Sequence, residues 1–142
     1  MSEKILVVDD DPVTLAITAA GLRAAGFKVL VATNAAAAFR LLETRPGIAL
    51  LITDVVMPGL DGLALADMVK MRHPDVRVIY ATGFADVIER QPGYRYGPTV
   101  SKPIAAPKLE GLVRELLARP ADRFGFRPPF PSAVRSEGGC RT

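Results

Sequence analysis

The sequence predicts an α/β domain in which helices cover both faces of a parallel sheet. The stretches ILVV (5–8) and ALLIT (49–53) are apolar without alternation, which is typical of strands that are buried on both faces. Segments of helical pattern, 10 to 15 residues long, separate such runs and indicate repeated βαβ units. A chain of 142 residues with 49% hydrophobic content is long enough for one domain with its own core.

Five strands follow from the apolar runs. The predicted strands are Lys4–Asp9, Lys28–Ala32, Ala49–Asp54, Arg77–Ala81 and Pro98–Ser101. The fifth is the shortest of them.

Capping and stop signals bound the first two helices. Asp11 followed by Pro12 is typical of an N-cap and a first helical residue, and Gly26 ends that helix. The second helix is predicted to begin near Asn34 and to end before Pro46.

The later helices are less uniform. The third begins at Asp61, after a Pro-Gly turn, and ends before Pro74. The stretch FADVIER (84–90) predicts a fourth helix of only about two turns, and a proline and a glycine follow it. The last helix has one apolar stripe, formed by Leu109, Leu112, Val113, Leu116 and Leu117.

Composition and charge exclude several classes of protein. The net charge of +3 is not gathered into a Lys/Arg stripe, so we expect no nucleic-acid partner. No apolar run approaches the roughly 20 residues that cross a bilayer, so we expect no membrane partner. The N-terminus leads directly into the first strand without a secretory signal, and Cys140 is the only cysteine, so we expect a cytoplasmic protein.

The chain divides into two parts. Residues 1–119 contain all the predicted elements and form the folded domain. Residues 120–142 are rich in proline, glycine and arginine without any periodicity, and we predict a flexible tail.

Chemically active side chains stand where four of the predicted strands end. These residues are Asp9, Asp10, Asp54, Thr82 and Lys102. In a parallel α/β sheet, ligands bind beyond the carboxyl ends of the strands. Three neighbouring carboxylates repel one another unless a cation lies between them, and Mg²⁺ takes oxygen ligands from carboxylates and phosphates together. The pattern therefore predicts a site for Mg²⁺ and a phosphoryl group.

The same residues suit phosphoryl transfer, because its transition state spreads negative charge over the phosphoryl oxygens. Asp54 would be the nucleophile and would form an aspartyl phosphate. The Lys102 ammonium and the Thr82 hydroxyl would stabilise the phosphoryl oxygens beside the metal. Asp11 is explained as a helix cap instead.

Four stretches, in this order, resemble the receiver domains of two-component response regulators: ILVVDDD, LLITDVVMPGLDG, VIYATGFAD and VSKPI. The resemblance covers about residues 4–118, and the motifs are most similar to receivers of hybrid sensor histidine kinases. It implies a doubly wound, flavodoxin-like (βα)5 receiver fold with a five-stranded parallel sheet of order 2-1-3-4-5.

The resemblance also implies a function. A histidine kinase or a histidine phosphotransfer protein would donate a phosphoryl group to the aspartate that matches Asp54. Asp9 and Asp10 match the pair that binds Mg²⁺ together with Asp54, and the backbone carbonyl of Val56 matches the remaining protein ligand. We expect a single-domain response regulator, which catalyses only its own phosphorylation and dephosphorylation. It would signal through phosphorylation-dependent contact with an output protein or act as a phosphate sink.

Two features depart from the family pattern. Thr82 and Lys102 match the switch hydroxyl and the phosphate-binding lysine, but Thr99 stands where an aromatic residue usually moves with that hydroxyl. The fourth helix is short, so the usual dimer through the fourth helix, fifth strand and fifth helix is not expected. We predict a monomer or a weak dimer.

The first helix has a second apolar stripe, and Arg23 is its only charged residue. The stripe is formed by Val13, Ile17, Ala20 and Ala24, and the first three are the candidate contact residues. An unpartnered apolar face favours a docking surface, here for the helices of the phosphodonor. The alternative is that the alanine-rich helix reflects helix propensity alone.

Other functions remain as alternatives. An aspartate-nucleophile phosphatase uses similar carboxylates, although such enzymes usually have a second acid where Val56 stands. A flavodoxin-like binding module is the other alternative. His73, the only histidine, is interpreted as a surface or cap residue.

Overall fold

The computed structural model describes residues 3–83, 93–94 and 96–119. The strands are β1 (Lys4–Val8), β2 (Lys28–Ala32), β3 (Ile48–Asp54), β4 (Arg77–Thr82), β5 (Gly93–Tyr94) and β6 (Gly97–Ser101), and the helices are α1 (Pro12–Ala24), α2 (Ala35–Thr44), α3 (Gly62–Arg72) and α4 (Ala106–Ala118). The predicted short helix over 84–90 and the predicted tail over 120–142 lie outside the described residues. None of the helices in the described ranges is long and apolar enough to cross a membrane.

The sheet has the order β2-β1-β3-β4-β6-β5. The pairs from β2 through β6 are parallel, which confirms the predicted order 2-1-3-4-5, with β6 as the predicted fifth strand. The structure adds β5, which pairs antiparallel with β6 at Gly93 opposite Pro98 and Tyr94 opposite Gly97. A two-residue strand shows no measurable period, so the sequence could not reveal it.

The direction of strand order reverses at β1. This strand lies between β2 and β3, with Val8 opposite Ala32 on one side and Thr53 on the other. In doubly wound sheets the crevice for ligands opens at this reversal, beyond the carboxyl ends of the strands. The fold therefore places a crevice next to the ends of β1 and β3.

Two hydrophobic layers enclose the sheet, because neighbouring residues of each strand point to opposite faces. The layer beneath α1 and α4 includes Ile5, Val7, Leu15, Leu22, Leu50, Ile52, Leu109 and Val113. The layer beneath α2 and α3 includes Leu6, Val8, Ala38, Leu42, Leu51, Leu65, Val69 and Tyr80. The prediction of strands that are buried on both faces is thus confirmed.

Side-chain caps fix where the helices begin. Asp11 accepts a hydrogen bond from the backbone of Val13 at the start of α1. Asn34 caps α2, and Asp61 caps α3 through the backbone N–H of Ala64. All three predicted helix starts are confirmed, and each cap satisfies backbone donors that the first helical turn leaves without partners.

Candidate functional site

The strand ends bring the predicted site residues to one edge of the sheet. Backbone hydrogen bonds hold these ends beside one another: Asp9 N–H to the carbonyl of Ala32 at 3.2 Å, and Lys102 N–H to the carbonyl of Thr82 at 2.9 Å. Thr82, the last residue of β4, is almost fully buried. The edge is therefore fixed by the same ladder that holds the sheet together.

Three carboxylates converge at this edge. Asp9, Asp10 and Asp54 each offer a carboxylate oxygen, and these oxygens lie within 4.8 Å of one another. Asp9 and Asp54 are only 5% and 7% exposed, whereas Asp10 is exposed to solvent. Buried like charges at such spacing are costly unless a cation compensates them, so the cluster could bind a metal ion.

Lys102 bridges two of these acids. Its Nζ lies 2.8 Å from Asp9 Oδ2 and 3.1 Å from Asp54 Oδ2. Burial alone would lower the pKa of the Lys102 ammonium, but the hydrogen bonds and charges of Asp9 and Asp54 outweigh it and raise the pKa. Lys102 therefore stays protonated beside both carboxylates.

The surroundings of Asp54 have opposing effects on the pKa of its carboxyl group. Burial raises the pKa of its carboxyl above the ordinary value, and the charges of Asp9 and Asp10 add to the rise. The hydrogen bond and the charge of Lys102 act in the opposite direction. Perturbed carboxyl groups of this kind are typical of functional sites.

The third aspartate of the DDD motif has a separate role. The carboxylate of Asp11 accepts hydrogen bonds from Val13 N–H and from the Thr14 hydroxyl. The hydrogen bond from Thr14 is the main reason that the pKa of the Asp11 carboxyl is lowered. The backbone N–H of Asp11 also donates to Asp9 Oδ1 at 2.9 Å, so this cap holds Asp9 in place. The interpretation of Asp11 as a helix cap is confirmed.

Val56 lies in the loop after β3, two residues beyond Asp54, and 55% of it is exposed. This loop leads into α3, whose first residue, Gly62, donates a backbone hydrogen bond to the carbonyl of Val55 at 2.9 Å. This hydrogen bond therefore ties the start of α3 to the residue that follows β3.

Two residues that contact Asp54 were not expected from the sequence. The Thr53 hydroxyl donates to the backbone carbonyl of Asp54 at 3.0 Å. Gly62 packs its Cα against the same carbonyl. A glycine in the first turn of a helix, where alanine is the better helix former, was the available signal.

The predicted docking residues lie on the outer face of α1. Val13 and Ile17 are 65% and 68% exposed, and Ala20 is also exposed. Next to Ile17, a hollow between α1 and α4 is lined by Gly21, Ile104 and other apolar residues.

His73 lies away from the acidic cluster. It is the C-cap of α3, and its Nε2 lies 2.7 Å from Glu43 Oε2. Its interpretation as a cap residue is confirmed.

The sheet order and the acidic site together define a class of protein. It is a doubly wound α/β domain in which three acids and a bridging lysine lie where the strand order reverses. The chain belongs to the response regulator receiver domain family, which it matches over residues 5–114. The family resemblance of the four sequence motifs is thereby confirmed, and the chain is a receiver domain of the two-component systems.

Known proteins agree with this assignment. The chain is 36% identical over 121 residues to the transcriptional regulatory proteins PrrA of Mycobacterium leprae and Mycobacterium tuberculosis. The match covers 83% of this chain and 51% of the Mycobacterium leprae protein. The chain thus spans about half the length of the curated relatives that it matches, and the single-domain type stays a prediction.

Solved structures show the same fold. A response regulator receiver protein from Sinorhizobium medicae superposes with a TM-score of 0.73 at 25% identity, covering 82% of this chain and 95% of that one. A two-component transcriptional regulator AraC from Clostridium phytofermentans gives a TM-score of 0.67 at 29% identity, covering 80% and 90%.

Proposed function

We propose that Asp54 accepts a phosphoryl group from a phosphohistidine of a histidine kinase or a histidine phosphotransfer protein. The observation that carries this proposal is the buried Asp54 carboxylate, which Lys102 contacts at 3.1 Å within a cluster of three acids. The phosphorylated domain then acts through contact with an output protein or drains phosphoryl groups from its donor. The expected lack of a nucleic-acid partner stays a prediction.

The transfer needs an ionised carboxylate. An oxygen of Asp54 forms a bond to phosphorus while the phosphorus–nitrogen bond of the donor breaks, and the imidazole keeps the electron pair of that bond. Lys102 favours the ionised form of Asp54, because its ammonium opposes the rise in pKa that burial causes. Lys102 and the Thr82 hydroxyl then stabilise the oxygens of the transferred group.

The acidic cluster fits a divalent cation of the hard, oxygen-binding kind. Three carboxylates face one ammonium group at this edge, so negative charge remains to be compensated. Asp9, Asp10, Asp54 and the backbone carbonyl of Val56 would hold Mg²⁺, which keeps several waters and prefers one or two carboxylates together with a phosphate oxygen. Bound Mg²⁺ would neutralise charge on a phosphoryl oxygen.

The outer face of α1 suits the phosphodonor. Val13, Ile17 and Ala20 are exposed on a helix that begins directly after the acidic residues. An apolar helical face beside the site would seat the helices that carry the phosphohistidine. We therefore include these three residues in the proposed donor surface.

A small-molecule phosphodonor tests the proposal without any partner protein. The purified chain, incubated with acetyl phosphate and Mg²⁺, is expected to gain one base-labile phosphoryl group by mass spectrometry. Asp54→Asn should gain none, and omission of Mg²⁺ should slow the reaction at least tenfold. Asp67→Asn is the matched control, because Asp67 is an exposed acid on α3.

Three results contradict the proposal. Labelling of Asp54→Asn at the wild-type rate would show another acceptor. Hydrolysis of the donor that continues unchanged in Asp54→Asn would indicate a phosphatase whose nucleophile is not Asp54. Absence of any adduct on the wild-type chain would favour a binding module.

A further inference from the structure

We propose that Gly62, supported by Thr53, is a positioning residue for the Asp54 carboxylate. This inference rests on the proposed function, in which Asp54 binds a cation and accepts the phosphoryl group. It concerns the backbone carbonyl of Asp54, which both residues approach closely.

Gly62 leaves no room for a side chain. A Cβ at this position would lie 2.0 Å from the carbonyl oxygen of Asp54 and 2.9 Å from its carbonyl carbon. Real Cβ atoms essentially never approach closer than 3.0 Å. Both contacted atoms belong to the backbone, so no rotation of a side chain relieves the clash.

The glycine is not needed for backbone conformation. Gly26 and Gly59 adopt left-handed φ angles of 100° and 78°, whereas Gly62 has none in that region. Alanine is also the better residue within a helix. What Gly62 supplies is the absence of a Cβ next to Asp54.

Neither partner in this contact moves easily. The end of β3 is held by Val55 N–H, which donates to the carbonyl of Ala81 at 3.0 Å. The helix α3 is anchored by Leu65, Ala66 and Val69, which are fully buried. An alanine at position 62 would therefore force the Asp54 carbonyl and the start of α3 apart by about 1 Å, the difference between 2.0 and 3.0 Å.

A displaced Asp54 carbonyl would also move the Asp54 carboxylate, because both groups are attached through the same Cα. The carboxylate of Asp54 lies 3.1 Å from Lys102 Nζ, and its oxygen lies within 4.8 Å of those of Asp9 and Asp10. Thr53 holds the same carbonyl through its hydroxyl at 3.0 Å. Groups that orient a metal ligand from behind commonly contribute 10- to 100-fold to metal affinity.

Mg²⁺ titration by calorimetry, below the melting temperature of each variant, tests the inference. Gly62→Ala is expected to bind Mg²⁺ at least tenfold more weakly than wild type, and Thr53→Val severalfold more weakly. Gly111→Ala is the glycine control, because a Cβ there meets nothing within 4 Å. Val69→Ala is the stability control, because it removes core volume from the same helix and should lower the melting temperature without changing Mg²⁺ affinity.

The carboxyl ¹³C chemical shift of Asp54, measured without metal, provides a second readout that a general loss of stability does not move. It should change in Gly62→Ala and Thr53→Val but not in Val69→Ala. Wild-type affinity and an unchanged Asp54 shift in the glycine variant overturn the inference, and so does an equal loss of affinity in Val69→Ala. Should Gly62→Ala not fold, Thr53→Val decides by the same two measurements. A wild-type chain that binds no Mg²⁺ contradicts the proposed function, whereas the chemical shifts still decide the positioning role.

Discussion

At the scale of single residues, Asp54 is a carboxyl group whose ionised form is opposed by its surroundings. It is buried beside two other acids, and one ammonium group compensates them only in part. Such a carboxylate is less well solvated than in water, which favours a reaction that places a new group on its oxygen. The same burial means that the ionised Asp54 carboxylate destabilises the metal-free fold.

Asp54→Asn should stabilise the metal-free protein near neutral pH and raise its melting temperature by a few degrees. Since burial raises the pKa of Asp54 in the fold, the native state binds the proton more tightly than the unfolded chain does. Wild-type stability therefore falls as the pH rises from the ordinary value of 3.8 through the raised pKa. Below that window both states are protonated, and the advantage of the variant should shrink.

Denaturant unfolding of both proteins from pH 3 to pH 7 measures this difference. Asp67→Asn, at an exposed position, should follow the wild-type curve. An asparagine variant that is less stable than wild type at pH 7 would show that the contact with Lys102 outweighs burial.

At the scale of elements, α1 has one apolar stripe that is buried and another that is exposed. Leu15, Ala19 and Leu22 are buried against the sheet, while Val13 and Ile17 remain exposed. A helix that stabilises the core with one apolar stripe leaves its other face available to a partner. Its N-cap, Asp11, also donates a backbone hydrogen bond to Asp9, so the proposed docking face and the acidic site adjoin the same end of α1.

Ile17→Glu is expected to slow phosphoryl transfer from the histidine donor at least tenfold, because a charge would be buried in the proposed interface. Labelling by acetyl phosphate should not change, since that donor needs no docking surface. Ala36→Glu is the matched control, because Ala36 is exposed on α2. Equal transfer rates from the protein donor to wild type and Ile17→Glu would remove α1 from the donor surface.

The strand ends and helix starts could be predicted because local signals mark them. Asp11, Asn34 and Asp61 each stand directly before a helical pattern, and each caps a helix. The strand β5 was not predicted, since two residues carry no period. The contact of Gly62 with Asp54 was also missed, because it depends on how α3 packs on β3 and not on any local pattern.

At the scale of the whole molecule, the site is a product of sheet order. The prediction that the ends of β1 and β3 would adjoin needed only the rule for doubly wound sheets. The sequence predicts that Lys102 lies near these acids. It does not predict that the ammonium group contacts both Asp9 and Asp54. Whether one ammonium contacts one acid or two depends on side-chain packing, which sequence patterns do not contain.

Mg²⁺ should stabilise the folded chain as a whole, since a ligand that binds only the native state adds RT ln(1 + [Mg²⁺]/Kd). At a concentration 100 times the Kd this amounts to about 2.7 kcal/mol. Thermal unfolding in Mg²⁺ and in EDTA measures the gain. Asp10→Asn removes an exposed member of the cluster and should lose most of it, whereas Asp67→Asn should retain it. An equal gain in both variants would place the bound ion elsewhere.

The ammonium group of Lys102 contacts Asp9 and Asp54, which lie far from it in the sequence and are therefore synthesised earlier. A nascent chain that ends before Lys102 contains Asp54 but not the ammonium group that contacts it. In the proposed function, the acceptor site is therefore complete only when the last strand of the parallel sheet has joined the fold.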